Sequence, residues 1–230
     1  MRRIVTYAFI LVAIPYVLNQ VRKPTKWVGR FFAWLMNISH SGLTNWGLQH
    51  VVIKKDFTIL DVGCGGGRTI EKLAALAPEG KIYGVDYADG SVAASRGKNA
   101  RLIEMGRVEI KQASVSKLPF PDGTFDLVTA VETQYYWPNL TGDMQEILRV
   151  LAPGGTLVVI AESYKDGRFE AIQRPVMKFL KSTNLSVDEQ RELFATAGYK
   201  DVQVFEARNK GWLCATGRRQ GAARRAPGKS

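Results

Sequence analysis

The stretch Ile59-Leu60-Asp61-Val62-Gly63-Cys64-Gly65-Gly66-Gly67-Arg68-Thr69 constrains this chain more than any other. An apolar run of strand character ends in glycines, and a helical pattern of Ile70, Leu73, Ala74 and Ala77 begins at once. Glycines at 63, 65 and 67 remove Cβ atoms where a strand turns sharply into a helix, so the backbone can come close to a ligand. The spacing departs from the dinucleotide fingerprint, which calls for a third Gly or Ala where Arg68 stands. No Gly-Lys-Ser or Gly-Lys-Thr follows, so a nucleotide phosphate loop is excluded too. A ligand without phosphates fits this turn better.

From Thr58 onward, short apolar runs alternate with helical stretches, the pattern of βα units. Strands are expected at 58–62, 81–85, 108–111, 125–131 and 156–161, with 202–205 and 213–216 closing the sheet. Leu140, Met144, Ile147, Leu148 and Leu151 form one apolar helical stripe, which is core. Ser186-Val187-Asp188-Glu189 reads as a capping box opening a helix to Ala197, with Gly198 as its stop. The expected fold is α/β: a doubly wound, Rossmann-like, seven-stranded and mostly parallel sheet with an N-terminal hydrophobic helical extension. The 230 residues suffice for one such core. The expected divisions are a hydrophobic helix over 1–21, a helical lid segment over 22–57, the ligand-binding domain over 58–216 and a disordered basic tail over 217–230.

The net charge of +11 invites a nucleic-acid reading, and its distribution argues against one. Arg2, Arg3, Arg22, Lys23, Lys26 and Arg30 at one end and Arg218, Arg219, Arg224, Arg225 and Lys229 at the other account for the whole excess, leaving residues 31–216 formally neutral. No nucleic-acid partner is expected. The apolar run from Ile4 to Leu18 is short for a membrane span, yet Trp27, Phe31, Phe32, Trp34, Leu35 and Ile38 follow it among basic residues. That favours a tilted or interfacial membrane anchor with the domain on the cytoplasmic face; a helix packed on the domain and a cleaved signal peptide are the alternatives. Two cysteines, Cys64 and Cys214, are too few for a disulfide framework and point to a reducing compartment.

Asp86 ends the strand after the glycine loop, 19 residues beyond Gly67, where a carboxylate can accept hydrogen bonds from a ribose diol. With Tyr83-Gly84-Val85-Asp86, Leu118-Pro119-Phe120-Pro121-Asp122-Gly123-Thr124-Phe125 and Arg149-Val150-Leu151-Ala152-Pro153-Gly154-Gly155 in the same order, the chain resembles the class I S-adenosylmethionine-dependent methyltransferases, of the small-molecule type, from about Thr58 to Thr216. The resemblance implies S-adenosylmethionine as cofactor. Gly63, Cys64, Gly65 and Gly67 would pass its methionine end, Asp61 would help hold the ammonium, Asp86 the ribose, and Tyr87 would flank the adenine. Glu132 would stand beside the sulfonium. The family's usual acid before Leu-Pro-Phe is missing, and Ser114 and Val115 take its place as adenine contacts.

Methyl transfer is an in-line displacement, so positioning and water exclusion matter more than any one catalytic residue. The aromatic segment after the fourth strand offers Tyr135 and Tyr136 as walls for a small, hydrophobic or lipid-like acceptor, against the plain reading of aromatics packing the domain edge. His40 is a further pocket candidate, and a structural role is the competing reading for it and for His50. No metal site is expected. A non-catalytic cofactor-binding or membrane scaffold protein and a dinucleotide oxidoreductase are the other classes in play; Arg68 and the Pro-Gly-Gly turn tell against the second.

Overall fold

The computed structural model describes residues 41–168, 170–179 and 182–221. The expected helix over 4–18, the aromatic segment over 27–38, His40 and the end of the tail lie outside the described residues. The elements are α1 (Ser41–Leu48), β1 (Thr58–Val62), α2 (Arg68–Leu76), β2 (Lys81–Asp86), α3 (Asp89–Lys98), α4 (Ala100–Glu104), β3 (Val108–Gln112) and β4 (Phe125–Val131). A 3-10 turn at Gln134–Tyr136 leads to α5 (Leu140–Val150), β5 (Leu151–Ala161), α6 (Glu170–Phe179), α7 (Val187–Thr196), β6 (Lys200–Ala207) and β7 (Trp212–Arg218).

The sheet order is β3-β2-β1-β4-β5-β7-β6, with β7 antiparallel to both of its neighbours. Alternation along the buried strands sorts side chains onto two faces. Leu60, Val128, Leu157 and Val159 enter one core with Phe125, Met144, Ile147 and Phe194. Ile59, Leu127, Val158 and Ile160 enter the other with Leu43, Ile70, Leu73 and Ile82. Helices cover both faces, so the sheet is doubly wound as expected. The described part of the 22–57 segment, α1, lies in the second core, where Leu43 is buried and a Cβ on Gly47 would strike Ile160.

Local chemistry accounts for the helix ends. Ser186 Oγ accepts from Glu189 N at 3.2 Å while Glu189 Oε2 accepts from Ser186 N at 2.7 Å, the reciprocal capping box. Gly198 leaves the helix at φ 101°, a conformation that side chains disfavour.

Several strand limits differ from expectation, as where β6 runs over Lys200–Ala207 in place of 202–205. Strand β5 begins at Leu151, paired with Phe125, before the register shifts and pairing resumes at Leu127 and Thr156. The domain also runs past residue 216: β7 extends to Arg218, and Arg219 donates to the carbonyls of Arg149 and Leu151 at 2.9 and 2.5 Å. The run of arginines there reads as a solvated tail, yet its first members satisfy carbonyls around the start of β5.

Arg149 joins two sequence motifs. Its guanidinium forms a fork with Glu146 (2.8 Å on each side) and reaches Asp122 Oδ1 at 2.7 Å, Phe120 O at 2.9 Å and Leu118 O at 3.1 Å. Glu146 also accepts from Leu118 N at 2.7 Å. The loop from Leu118 to Asp122 is thereby fastened to α5, and these paired charges hold the Arg149 guanidinium above its usual value and the Glu146 carboxyl below its own. Replacing Arg149 by Met should lower stability by about 2 kcal/mol, since several charge-assisted bonds are lost at a partly exposed site. Urea unfolding of the two proteins, compared at equal m-value, measures it; an unchanged midpoint would show that the loop is held by its apolar contacts alone.

Candidate functional site

The C-terminal ends of β1, β2 and β4 meet where the strand order reverses, the place at which open α/β sheets bind ligands. The glycine loop leaves β1 there. Gly63 N and Cys64 N both donate to Val85 O, at 2.8 and 3.0 Å, which folds the loop over the end of β2. Gly65 N then donates to Asp86 Oδ2 at 3.0 Å, and Ala88 N donates to Asp86 Oδ1 at 2.9 Å.

The glycines serve different ends. A Cβ on Gly63 would collide with the Thr133 side chain, and one on Gly67 with Ser95 and Asn99, so those two allow close packing within the protein. At Gly65, with φ 50°, a Cβ would meet nothing within 4 Å. The open face of the loop at Gly65 is where a bound molecule can lie against backbone.

Two carboxylates stand behind that face. Asp61 is 2% exposed, and its Oδ1 accepts from Thr129 Oγ1 at 2.7 Å. Burial pushes its carboxyl up to about 7, with the nearby Asp86 adding to the rise and the Thr129 bond opposing it. Burial also raises Asp86, against the bonds it accepts from Ala88, Gly65, Tyr87 and Ser91. Two buried carboxyl groups without a cationic side chain among these partners can receive a cation. Cys64 sits between them, buried, with its thiol pushed well up by burial and by both acids; a protonated thiol in that position is packing and not a nucleophile.

The surface beyond Asp86 is more open. Tyr87 is 43% exposed, and its carbonyl accepts from Gln112 Nε2 at 3.1 Å. Ser114 is exposed and its Oγ accepts from Ser116 N at 3.2 Å, whereas the Val115 side chain is buried in the main core. Only the backbone of Val115 is left to touch a ligand, because its apolar side chain is drawn inward.

On the other side of β1, Glu132 leaves β4 with φ 56°, and its Oε1 accepts from Glu162 N at 2.6 Å and from Tyr135 Oη at 3.0 Å. Tyr135 is 7% exposed and its oxygen accepts from Ser163 N at 3.0 Å, so it is a buried strut and not an open wall. Trp137 is in the main core, and the half-buried Tyr136 packs edge-on against Tyr135 at 5.9 Å. Of the two tyrosines, Tyr136 is the more exposed. Outside the site, His50 stacks on Phe205 at 4.0 Å and meets Trp46 edge-on, which makes it a packing residue. Among the described residues, no group of three His, Cys, Asp or Glu side chains could hold a metal ion.

The pieces absent from the sequence reading are Thr129 and the Glu132–Tyr135–Ser163 connection. A Thr between the apolar Val128 and Ala130 of β4 was the available signal for the first; the second depends on contacts between loops and left none.

Residues 60–159 match the family model described as a methyltransferase domain. Over 112 residues the chain is 36% identical to the demethylmenaquinone methyltransferase of Symbiobacterium thermophilum, covering 48% of this chain and 45% of that one. It is 38% identical over 166 residues to the sterol 4-C-methyltransferase of Caenorhabditis elegans, covering 70% and 49%. The chain thus spans about half the length of these curated relatives. The fold is shared with a SAM-dependent methyltransferase from Aquifex aeolicus, with TM-score 0.61 and 20% identity, over 89% of this chain and 98% of that one.

Asp61 generates a pH prediction. With its carboxyl up to about 7 in the folded chain against an ordinary 3.8, the folded state keeps a proton that the unfolded state releases. The stability tied to this group is full below about pH 4, declines as pH rises toward 7 and is flat above. Asp61→Asn should remove that decline, leaving the variant more stable than wild type at pH 8 by roughly 2–4 kcal/mol and equal to it near pH 4. Urea unfolding at the two pH values decides; parallel profiles would return Asp61 to an ordinary carboxylate.

Proposed function

We propose, from the premise that residues 60–159 are a methyltransferase domain of the class I fold, that the chain transfers the methyl group of S-adenosylmethionine to a small hydrophobic acceptor. The carrying observation is the open side of Gly65 latched to the Asp86 carboxylate, with Asp61 buried behind it. A zwitterionic cofactor without phosphates fits this arrangement. The turn gives it backbone to lie against, Asp86 keeps acceptor capacity for a diol beside the two amides it already receives, and the buried acids suit an ammonium group. Tyr87 offers a ring to the adenine.

When bound, S-adenosylmethionine supplies a methyl group activated by a sulfonium; the protein orients it and keeps water away. The acceptor is placed past β4, where Tyr136 and the tied Glu132 stand. Relatives named for demethylmenaquinone and sterol substrates support a quinone-, sterol- or phenol-like molecule. Acceptors of that kind dissolve in membranes, which agrees with an anchor over residues 1–21 and basic residues at 22–30 holding the domain at the cytoplasmic face. Among the described residues, no helix is long and apolar enough to cross a membrane.

Two measurements test this reading. Gly65→Val should weaken S-adenosylmethionine binding at least tenfold by calorimetry, and methyl-labelled cofactor with wild type should label a quinone, sterol or phenol and neither DNA nor RNA. Affinity equal to wild type in the variant would remove the cofactor assignment. Deleting residues 1–21 should shift the protein from the membrane pellet to the soluble fraction with cofactor affinity kept; a full-length protein already soluble without detergent would end the anchor reading.

A further inference from the structure

Glu132 occupies a backbone conformation that residues with side chains rarely adopt, at φ 56° directly after β4. Several bonds hold it there. Its amide donates to Ile160 O at 2.9 Å, and its Oε1 receives both Glu162 N at 2.6 Å and the Tyr135 hydroxyl at 3.0 Å. Ser163 N donates to that same hydroxyl at 3.0 Å, which turns the phenol proton toward the carboxylate. The carbonyl of Tyr135 in turn accepts from Thr183 N at 2.9 Å, on the limb returning from α6. One aromatic residue therefore ties together the exits of β4 and β5 and the segment after α6.

Along the chain, the residue carrying this carboxylate is next to one that meets the glycine loop. Thr133, its chain neighbour, covers Gly63, and β4 flanks β1 on the side away from β2 and Asp86. Acids thus border the loop from β1, β2 and β4, and only the third is held by a phenol.

Resting on the function proposed above, we infer that Glu132 sets the preference for S-adenosylmethionine over S-adenosylhomocysteine, and that Tyr135 is the residue positioning it. The two ligands differ by one methyl group and one positive charge on sulfur. A fixed carboxylate in a partly buried site attracts the charged sulfonium and gains nothing from the neutral thioether, so it lowers affinity for the product relative to the cofactor. The preference depends on the carboxylate staying in place. Removing the phenol hydroxyl frees one of its restraints and leaves the aromatic packing and the Thr183 bond, which runs to backbone.

The test is calorimetric titration of the full chain with each ligand separately, for wild type, Glu132→Gln and Tyr135→Phe. Glutamine keeps one oxygen for both donors and removes the charge, with an amide NH2 in place of the second oxygen. The ratio of the two Kd values should shift toward S-adenosylhomocysteine about tenfold in Glu132→Gln and about threefold in Tyr135→Phe, with S-adenosylhomocysteine affinity within about twofold of wild type. If Tyr135→Phe does not fold, the ratio in Glu132→Gln decides alone. An unmoved ratio, or both affinities falling together, overturns the inference and leaves the cofactor reading standing; wild-type protein that binds neither ligand overturns both.

Discussion

The hydrogen bond from Gly65 N to Asp86 Oδ2 ties together the exits of the first two strands, and the site is organised around it. It requires a backbone at φ 50°, which glycine adopts freely, and an acid at the last position of β2. The parallel register of β1 and β2, with Val62 opposite Val85, brings the loop and Asp86 to the same edge. The bond also orients a carboxylate that is otherwise costly to bury, since the amides of Gly65 and Ala88 replace water around it.

A neutral domain body carrying buried acids in one place has a definite electrostatic character. Its basic excess is confined to the two ends of the chain, so long-range steering of polyanions toward the site is absent from the body itself. At short range, burial raises the proton affinity of both Asp61 and Asp86, and the nearby Asp86 adds to the rise at Asp61. Burial, with both acids adding to it, also raises the Cys64 thiol, which accounts for a thiol beside the glycine loop with no nucleophilic part to play.

The glycine turn and the strand-end acid bonded to it were legible in the sequence because they are built from neighbours along the chain. Gly63, Gly65, Gly67 and Asp86 follow from what a strand-to-helix turn and the next strand end permit, and the sheet order follows from the alternation of βα units. The strand limits at Leu151 and Arg218 were not legible, since a Pro-Gly-Gly excursion and a run of arginines both resemble loop. Val115 illustrates a different failure: a valine in a half-buried turn places its side chain by packing, and the core claimed it.

The region past β4 and β5 obeys other constraints. Its parts come from the exits of β4 and β5 and from the limb after α6, about 30 to 50 residues apart, and they are joined by single side-chain bonds such as Tyr135 to Glu132 and Asn184 to Ser163. Bonds of that kind leave no periodicity for a sequence to display, and each can be exchanged for another without disturbing the sheet. Order at the glycine turn is imposed by backbone geometry that tolerates few substitutions, whereas order past β4 and β5 is assembled from replaceable contacts. A fold divided in this way can hold its cofactor constant while the acceptor pocket is rebuilt, which is why the chain's resemblance to known proteins identifies the methyl donor more narrowly than the molecule that receives the methyl.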